Sequence, residues 1–466
     1  MGDNTDNTFR ENKMGTMPVG RLLISMSWPA IVSMMIQALY NIVDSIFVSR
    51  VGEFALTAVT LIFPVQFLMM AVGVGTAVGV NSLISRRLGG RRFDEANKAA
   101  SNGFKLAFID WLVFAVPGLL FGGMFVRIFT DDPQIIAAGS VYLRIVTSLS
   151  LFMMLTTMVE KMIQATGNMR LPMIASVTGA LVNVGLDPIL IFGLLGAPKM
   201  GVLGAAVATV IGQAVSATIN LTVLFKGSHE IKVDPKEKFD KAILKDIYAV
   251  GLPAIVMQAI GSVMQFSLNI ILAGFSSTAV AVIGVYGRLQ SFVFMPVIGI
   301  NQGSMPILGY NYGAGNKARL MRTYKLAFIM AFIIMGIGVV IFHVFPHQLL
   351  AIFNASAEMD RIGTQALMII SWCFLPAAFG IITGGVFQAT GHGLYSLIGS
   401  VIRQLVGILP LAVILGRVGG LSWVWAAFPL AEILGVAYIG AMMKRLYDNE
   451  IKKLEPIETR SGRTNV

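Results

Sequence analysis

VGRLLISMSWPAIVSMMIQALYNIVDSIFV, residues 19–48, is the stretch that decides the class of this fold. A helix needs about 20 apolar residues to cross ~30 Å of hydrocarbon, and this run is longer than that. It is also too long for the apolar segment of a cleavable signal peptide, and the polar residues 1–18 before it contain no such segment. We therefore predict an uncleaved first membrane span.

The composition of the whole chain supports a membrane protein. Of 466 residues, 56% are hydrophobic and only 13% are charged, about half of the roughly 25% usual in soluble domains. Too few charges are present to cover a soluble surface or to keep a chain disordered. The net charge of +11 does not indicate nucleic-acid binding, because the charges lie between apolar runs. A single cysteine, Cys373, excludes an internal disulfide.

Eleven further apolar runs follow the first, and none alternates as the strands of a membrane barrel would. We predict an all-α polytopic protein with twelve transmembrane helices, near residues 19–48, 54–85, 97–125, 136–159, 171–194, 201–225, 243–273, 279–307, 319–345, 361–386, 394–416 and 421–443.

The two halves of the chain repeat each other. Three tetrapeptides recur in the same order at offsets of 224, 220 and 224: PAIV at 29–32 and 253–256, KLAF at 105–108 and 325–328, and QATG at 164–167 and 388–391. Six spans per half is an even number, so both halves enter and leave on the same side, which is a parallel repeat about an axis along the membrane normal. The predicted segments are a polar cytoplasmic N-terminus (1–18), two six-helix bundles (19–225 and 243–445), a cytoplasmic linker (226–242) and a cytoplasmic tail (446–466).

The positive charges predict the orientation. With the N-terminus in the cytoplasm, 27 Lys and Arg residues fall on the inside and 5 in the outside loops. Lys and Arg are enriched in cytoplasmic loops, so we predict a multi-pass protein of the plasma (inner) membrane with both termini cytoplasmic.

Three sequence features resemble a known family. The run Gln37–Val48 (QALYNIVDSIFV), the segment Asn183–Pro188 (NVGLDP) and the paired Gln-Ala-Thr-Gly turns are similar to those of the MATE (multidrug and toxic compound extrusion) transporters over residues 18–445. The resemblance implies a V-shaped pair of bundles that exports organic cations, driven by inward Na⁺ or H⁺. Span 7 carries Gln258 and Gln265, and predicted spans 8 and 10 contain no acid, so the chain resembles the DinF-like branch, whose chemistry lies in the first bundle.

A cation-coupling site is predicted from four side chains at a similar depth. Asp44 lies about 9 Å below the outer end of span 1 by helix rise. Asp187 and Asn183 share a face of span 5, and Thr209 lies on span 6. Oxygen ligands at one depth suit Na⁺, and two carboxylates in a low-dielectric cavity suit proton exchange, so these four are the candidate ligands. The alternative is that the two acids only bond neighbouring helices. Pro188 should bend span 5 beside them and act as a hinge, or form a static kink.

Four residues are candidates for substrate binding: Gln37, Tyr142, Glu160 and Glu432. Gln37 has core packing as its alternative, and Tyr142 matches a family position near the cation site. Glu160 stands beside Lys161 at the cytoplasmic end of span 4, where an interface charge pair is the competing interpretation. Glu432 is either a counter-ion for a cationic substrate or the partner of a buried ion pair with Arg403.

The predicted function is secondary multidrug efflux by cation antiport. A lipid-linked saccharide flippase of a related family and a membrane-embedded enzyme remain as alternatives. The sequence contains no Walker motif that would indicate ATP use. No cofactor is expected beyond the coupling ion. The expected partners are organic cations, other xenobiotics and the lipid bilayer, without nucleic acid, and the expected state is a monomer.

Overall fold

The structure is a computed structural model that describes residues 12–51, 53–227 and 230–457. Within these ranges the protein is helical without strands. Twelve membrane-length helices in the described ranges are long and apolar enough to cross a membrane, and each overlaps one of the predicted spans, with ends that differ by a few residues. The predicted all-α fold with twelve spans is therefore confirmed.

Spans 1–6 form what we call the N-half and spans 7–12 the C-half. In order, the spans are Val19–Ser49, Glu53–Gly89, Phe93–Arg127, Pro133–Ala165, Arg170–Phe192, Val202–Lys226, Lys241–Ala273, Ser277–Gly313, Lys317–Val344, Ala357–Thr390, Gly393–Gly419 and Leu421–Asn449. Short helices at Lys13–Thr16, Leu194–Gly196, Pro346–Ala351 and Ile451–Lys453 accompany them. Because the segment before span 1, the segment after span 12 and the described part of the linker lie on one side of the bundle, we call that side the linker side.

Polar caps explain where several spans begin. The Asp132 carboxylate accepts hydrogen bonds from the amides of Gln134 and Ile135 at the start of span 4, and Asp240 caps span 7 in the same way. Such caps satisfy the amides that a helix leaves free in its first turn. Span 10 begins earlier than predicted, behind the cap Ser356, so its first turn contains Asp360, which pairs with exposed His347 at 2.8 Å.

The internal repeat is retained in the backbone. The two QATG turns end spans 4 and 10 on glycines with left-handed backbones, Gly167 at φ 88° and Gly391 at φ 95°. Glycine is the residue that adopts this conformation without a steric penalty. Spans 4 and 10 are also interrupted at equivalent places, at residues 149–150 and 371–373. Span 11 contains a π-helix, Ile402–Ile408, where span 5 is regular.

The two halves exchange equivalent contacts on the linker side. The first third of span 1 packs into the core of the C-half, where Leu22, Leu23 and Met26 are fully buried. Span 7 packs into the core of the N-half through Ile243 and Ile247. Each of these spans therefore bridges to the other half at its linker-side end.

Polar bonds reinforce this junction. The Ser82 hydroxyl donates to the Gln388 carbonyl at 2.5 Å, and the Arg87 guanidinium pairs with Asp246 at 2.7 Å. The segment before span 1 lies over the same seam. There Arg319 of the C-half donates to the carbonyls of Met14 and Met17 at 3.0 and 2.7 Å. The halves are thus joined on the linker side.

Candidate functional site

Spans 5 and 6 approach closely because glycines face each other. A Cβ at Gly212 would stand 2.7 Å from the Gly179 carbonyl oxygen and 3.0 Å from the Asn183 Cβ. Small residues let helices in a membrane pack at short range. This approach brings Thr209 to Asn183, whose Nδ2 donates to the Thr209 Oγ1 at 3.4 Å. Two of the four predicted cation ligands are therefore in contact.

Asp187 lies one turn beyond Asn183 on the same face of span 5. It is fully buried, and Asn183 is 3% exposed. Pro188 follows directly inside the helix and has no N–H to donate to the Val184 carbonyl. A break in the helix hydrogen bonds therefore stands beside the buried acid, where the hinge was predicted.

Asp44 is half-buried on span 1, which packs along span 5. It lies near enough to Asp187 for the two carboxyl groups to interact, and the hydroxyls of Tyr40 and Tyr142 lie near both. The Tyr142 hydroxyl also accepts a hydrogen bond from Gln66 Nε2 of span 2 at 3.3 Å. Predicted residues from spans 1, 4, 5 and 6 thus surround one region of the N-half.

Several buried oxygen atoms in this region have no partner. Both carboxylate oxygens of Asp187, Oδ1 of Asn183 and Oδ1 of Asp44 are buried, and none accepts a hydrogen bond from any residue in the described ranges. A buried polar atom without a partner costs about 1–3 kcal/mol, and more if it is charged. Protons or a cation on these oxygens would remove that cost.

Glu160 and Lys161, for which an interface charge pair was the competing interpretation, belong to one hydrogen-bonded network. Gln164 connects them: its Nε2 donates to Glu160 Oε1 at 2.8 Å, and its Oε1 accepts from Lys161 Nζ at 2.9 Å. Ser176 donates to the other Glu160 oxygen at 3.3 Å. Lys161 is only 9% exposed and also donates to Gln302 of the C-half at 2.9 Å. Side chains of consecutive residues on a helix point in different directions. Gln164 is four residues after Glu160 and three after Lys161, so its amide can reach both charges.

Glu432 and Arg403 meet inside the C-half. Arg403 Nη1 donates to Glu432 Oε1 at 3.1 Å, and the Glu432 side chain is 8% exposed. The ion pair, which was one of the two interpretations of Glu432, is present.

Gln37 stands two turns before Asp44 on span 1 and is exposed, so it is not a core residue. Asp110, a buried acid without a predicted partner, is 5% exposed and lies beside Thr76.

Sequence reasoning missed Tyr40, Gln66 and Gln302. Tyr40 could have been found, because it stands one turn before Asp44 on the same face of span 1. Gln66 and Gln302 reach their partners from other spans, and the helical period of one segment does not reveal such contacts. The region presents two acids, two tyrosines and the amides of Gln66 and Asn183.

The fold and this site together define a membrane transporter built from two repeated six-helix halves. The family profile named MatE matches residues 29–189 and 253–414, and its two segments begin 224 residues apart, as the tetrapeptides do. The chain belongs to the MatE family, and it is a transporter and not an enzyme.

Named relatives and solved structures agree with this assignment. The chain is 26% identical over 418 residues to the probable multidrug resistance protein YoeA of Bacillus subtilis (strain 168), covering 88% of this chain and 90% of YoeA. It is 26% identical over 417 residues to the multidrug export protein MepA of Staphylococcus haemolyticus (strain JCSC1435), again covering 88% and 90%. A solved structure described as the outward-facing conformation of a multidrug resistance MATE family transporter of the MOP superfamily matches with a TM-score of 0.86 and 27% identity, over 95% of this chain and 98% of that one.

Proposed function

We propose that this protein is a secondary multidrug exporter that exchanges H⁺ or Na⁺ for organic cations by alternating access. The names of its relatives, a probable multidrug resistance protein and a multidrug export protein, support the export of xenobiotics. Residues of its own N-half supply the argument for cation coupling.

The observation that carries the coupling proposal is the set of unpartnered oxygens around Asp187. Two acids, a primary amide and a hydroxyl converge from spans 1, 5 and 6, and four of their oxygen atoms are buried without a partner among the described residues. Oxygen atoms from carboxylates, amides and hydroxyls are the ligands that hard cations such as Na⁺ take in proteins. The same two acids can instead carry protons, because two carboxylates that interact in a cavity titrate as a pair.

Exchange follows from competition for these oxygens. With a coupling cation bound, the charge of Asp44 and Asp187 is neutralised and an organic cation gains little by binding nearby. Without it, two negative charges attract the organic cation, and Tyr142 and Gln37 are placed to contact it. The coupling ion and the drug therefore exclude each other, which is the requirement for antiport.

The orientation completes the proposal. The linker side carries the excess of Lys and Arg, so it is assigned to the cytoplasm. The halves are joined on that side by the bonds of Ser82 and Arg87, which we interpret as a conformation closed to the cytoplasm. The similarity to an outward-facing transporter supports this reading. The drug would be released to the outside, from a protein of the plasma (inner) membrane.

Ethidium efflux from vesicles tests the proposal. Purified protein in proteoliposomes would be given a pH gradient alone and, separately, a Na⁺ gradient alone. The proposal expects export under at least one gradient, and the effective gradient names the coupling ion. Ethidium movement that follows neither gradient would refute cation antiport.

A further inference from the structure

One face of span 7 packs against the N-half on the linker side. A Cβ at Gly75 of span 2 would stand 2.4 Å from the Ile255 Cγ1. A Cβ at Gly79 would stand 2.3 Å from the Ile247 carbonyl oxygen and 3.0 Å from the Gly251 amide nitrogen. Ile247, Gly251 and Ile255 follow one another at steps of four residues, so they lie on the same side of the helix. This side of span 7 is therefore turned toward the N-half.

The same face becomes polar in the outer half of span 7. Counting on from Ile255 in steps of three and four residues, which is the period of one helix face, gives Gln258, Ser262, Gln265 and Asn269. We call these four residues the span 7 stripe. Ser262 and Gln265 are exposed, whereas Gln258 and Asn269 are half-buried. Span 2 covers this face at Ile255 and leaves it open at Ser262, so the stripe borders the space between the halves.

The two remaining faces of span 7 have other surroundings. Leu268 and Leu272 are fully buried in the core of the C-half. Val263, Phe266 and Ile270 are 53%, 69% and 60% exposed and form an apolar face that suits lipid. On a helical wheel the stripe lies between these two faces. Amide groups turned toward lipid would find no hydrogen-bond partner, which is a further reason to place them toward the other half.

The internal repeat supports this assignment of faces. Gly299 and Gly303 of span 8 stand 224 residues after Gly75 and Gly79. A Cβ at Gly299 would lie 2.7 Å from the Ile31 Cγ1 of span 1, and one at Gly303 would lie 2.7 Å from the Ser27 Cα. The halves thus meet twice through the same pair of contacts. The same offset places the span 7 stripe opposite less polar residues of span 1, which are Met34, Ala38, Asn41 and Ser45.

The stripe offers hydrogen bonds without charge. Span 7 contains no Asp, Glu, Lys or Arg between Asp246 and its end at Ala273. The three carboxamides and the hydroxyl of the stripe both donate and accept hydrogen bonds. Within the described part of the chain, the side-chain bond in the stripe is the one from Gln265 Nε2 to Asn269 Oδ1 at 3.3 Å, so Gln258 has its full capacity to spare. By helix rise the stripe is about 16 Å long.

We propose that the span 7 stripe binds the uncharged, hydroxyl-bearing parts of substrates in the space between the halves. An uncharged polar molecule gains little from the charges of Asp44 and Asp187, but it must replace the hydrogen bonds that it loses with water. Side chains that both donate and accept can replace them in pairs. This inference rests on the proposed transport function for the path of the substrate, and it adds uncharged polar compounds to the organic cations.

Binding of two matched uncharged probes tests the stripe without any gradient. The probes are 4-methylumbelliferyl β-glucoside, which carries hydroxyl groups, and 7-methoxy-4-methylcoumarin, which has the same ring system without them. Fluorescence anisotropy with the full-length protein in lipid nanodiscs gives both affinities and avoids glycoside detergents, which would compete. Gln258→Leu should weaken glucoside binding roughly three- to tenfold, as expected for loss of neutral hydrogen bonds, and should leave coumarin binding within about twofold. Gln348→Leu, at an exposed position in the short helix Pro346–Ala351, is the control and should alter neither affinity.

A second variant separates a folding defect from a loss of binding. Ser262→Ala removes one hydroxyl from an exposed position and should also weaken the glucoside selectively, whether or not Gln258→Leu folds. The inference is overturned if the wild-type protein does not bind the glucoside, or if the folded variants weaken both probes equally or neither. Because binding needs no gradient, failure of cation antiport in vesicles would leave this result unchanged, and failure of glucoside binding would leave ethidium antiport unchanged.

Discussion

Lys161 on span 4 donates a 2.9 Å hydrogen bond from its Nζ to the Oε1 of Gln302 on span 8, which joins a buried lysine of the N-half to the C-half. The ammonium group has one further acceptor in the described residues, Gln164 Oε1 at 2.9 Å. A buried charge is expensive unless it is hydrogen-bonded, so this contact should favour the state that is closed on the linker side. It must break when the halves separate there.

The first prediction is that Gln302→Leu opens the linker side. Ser82, which is 1% exposed at the seam, would be changed to Cys in a Cys373→Ala background as a reporter. Because Lys161 loses an acceptor from the other half, labelling of the reporter with a maleimide should become several-fold faster. Gln265→Leu, at an exposed position on span 7, is the control. Equal labelling rates in both variants would show that the Lys161–Gln302 bond does not hold the halves together.

The second prediction concerns orientation. A reporter fused after Lys238, in the linker, should be cytoplasmic, and one inserted within Phe353–Ala357 should be external. The reason is the distribution of positive charge, with 27 Lys and Arg on the linker side and 5 in the opposite loops. Activity of an alkaline phosphatase fusion and fluorescence of a green fluorescent protein fusion distinguish the two sides. The reverse result at both positions would invert the assignment.

The third prediction separates Na⁺ from H⁺ at Thr209. Thr209→Val keeps the shape of the side chain but removes the hydroxyl that Asn183 contacts at 3.4 Å. A hydroxyl can ligate Na⁺ but does not carry the transported proton, so a Na⁺-coupled protein should lose much of its Na⁺-driven efflux. Thr218→Val, on the exposed face of the same span, should have no effect. If the pH gradient is the driving force instead, Thr209→Val should retain most activity.

The fourth prediction concerns the stability of the Arg403–Glu432 pair. Glu432→Gln leaves Arg403 without its charge partner inside the bundle, and we expect a loss of about 3–5 kcal/mol in the free energy of unfolding. The double change Arg403→Met with Glu432→Leu should recover much of it, because two apolar side chains need no partner. Thermal unfolding in detergent gives the comparison. A double variant no more stable than Glu432→Gln would mean that the pair does not act as a unit.

Much of the fold could be predicted from the sequence because membrane spans are long and apolar over their whole length. The repeat was also visible, since both QATG turns need a left-handed glycine at Gly167 and Gly391. Contacts between spans were harder to predict. Helix rise predicts a similar depth for Asp44, Asn183 and Asp187, but the angle at which a helix turns toward its neighbours depends on packing.

Three features of the site illustrate the limit. For Glu160 the sequence left a substrate-binding role and an interface charge pair open, and it did not reveal that Gln164 bridges Glu160 and Lys161. The acceptor Gln302 lies 141 residues from Lys161, and no local pattern connects the two. The π-helix around Arg403 follows no composition rule that distinguishes it from the regular helix of span 5.

The central claim is that the buried acids of the N-half couple ion movement to export. Asp187→Asn and Asp44→Asn each keep the size and most hydrogen bonding of the side chain but remove its charge. Both variants should fold and insert. Each should lose gradient-driven efflux, because an amide can neither carry the proton nor neutralise a bound Na⁺. Asp131→Asn, at an exposed loop position, is the control and should transport normally.

The most direct measurement is ethidium efflux by purified Asp187→Asn in proteoliposomes, under whichever gradient drives the wild-type protein, beside thermal unfolding to show that the variant is folded. The account predicts a folded protein without gradient-driven efflux. Efflux at the wild-type rate from the folded variant would contradict it, and would show that Asp187 does not couple transport.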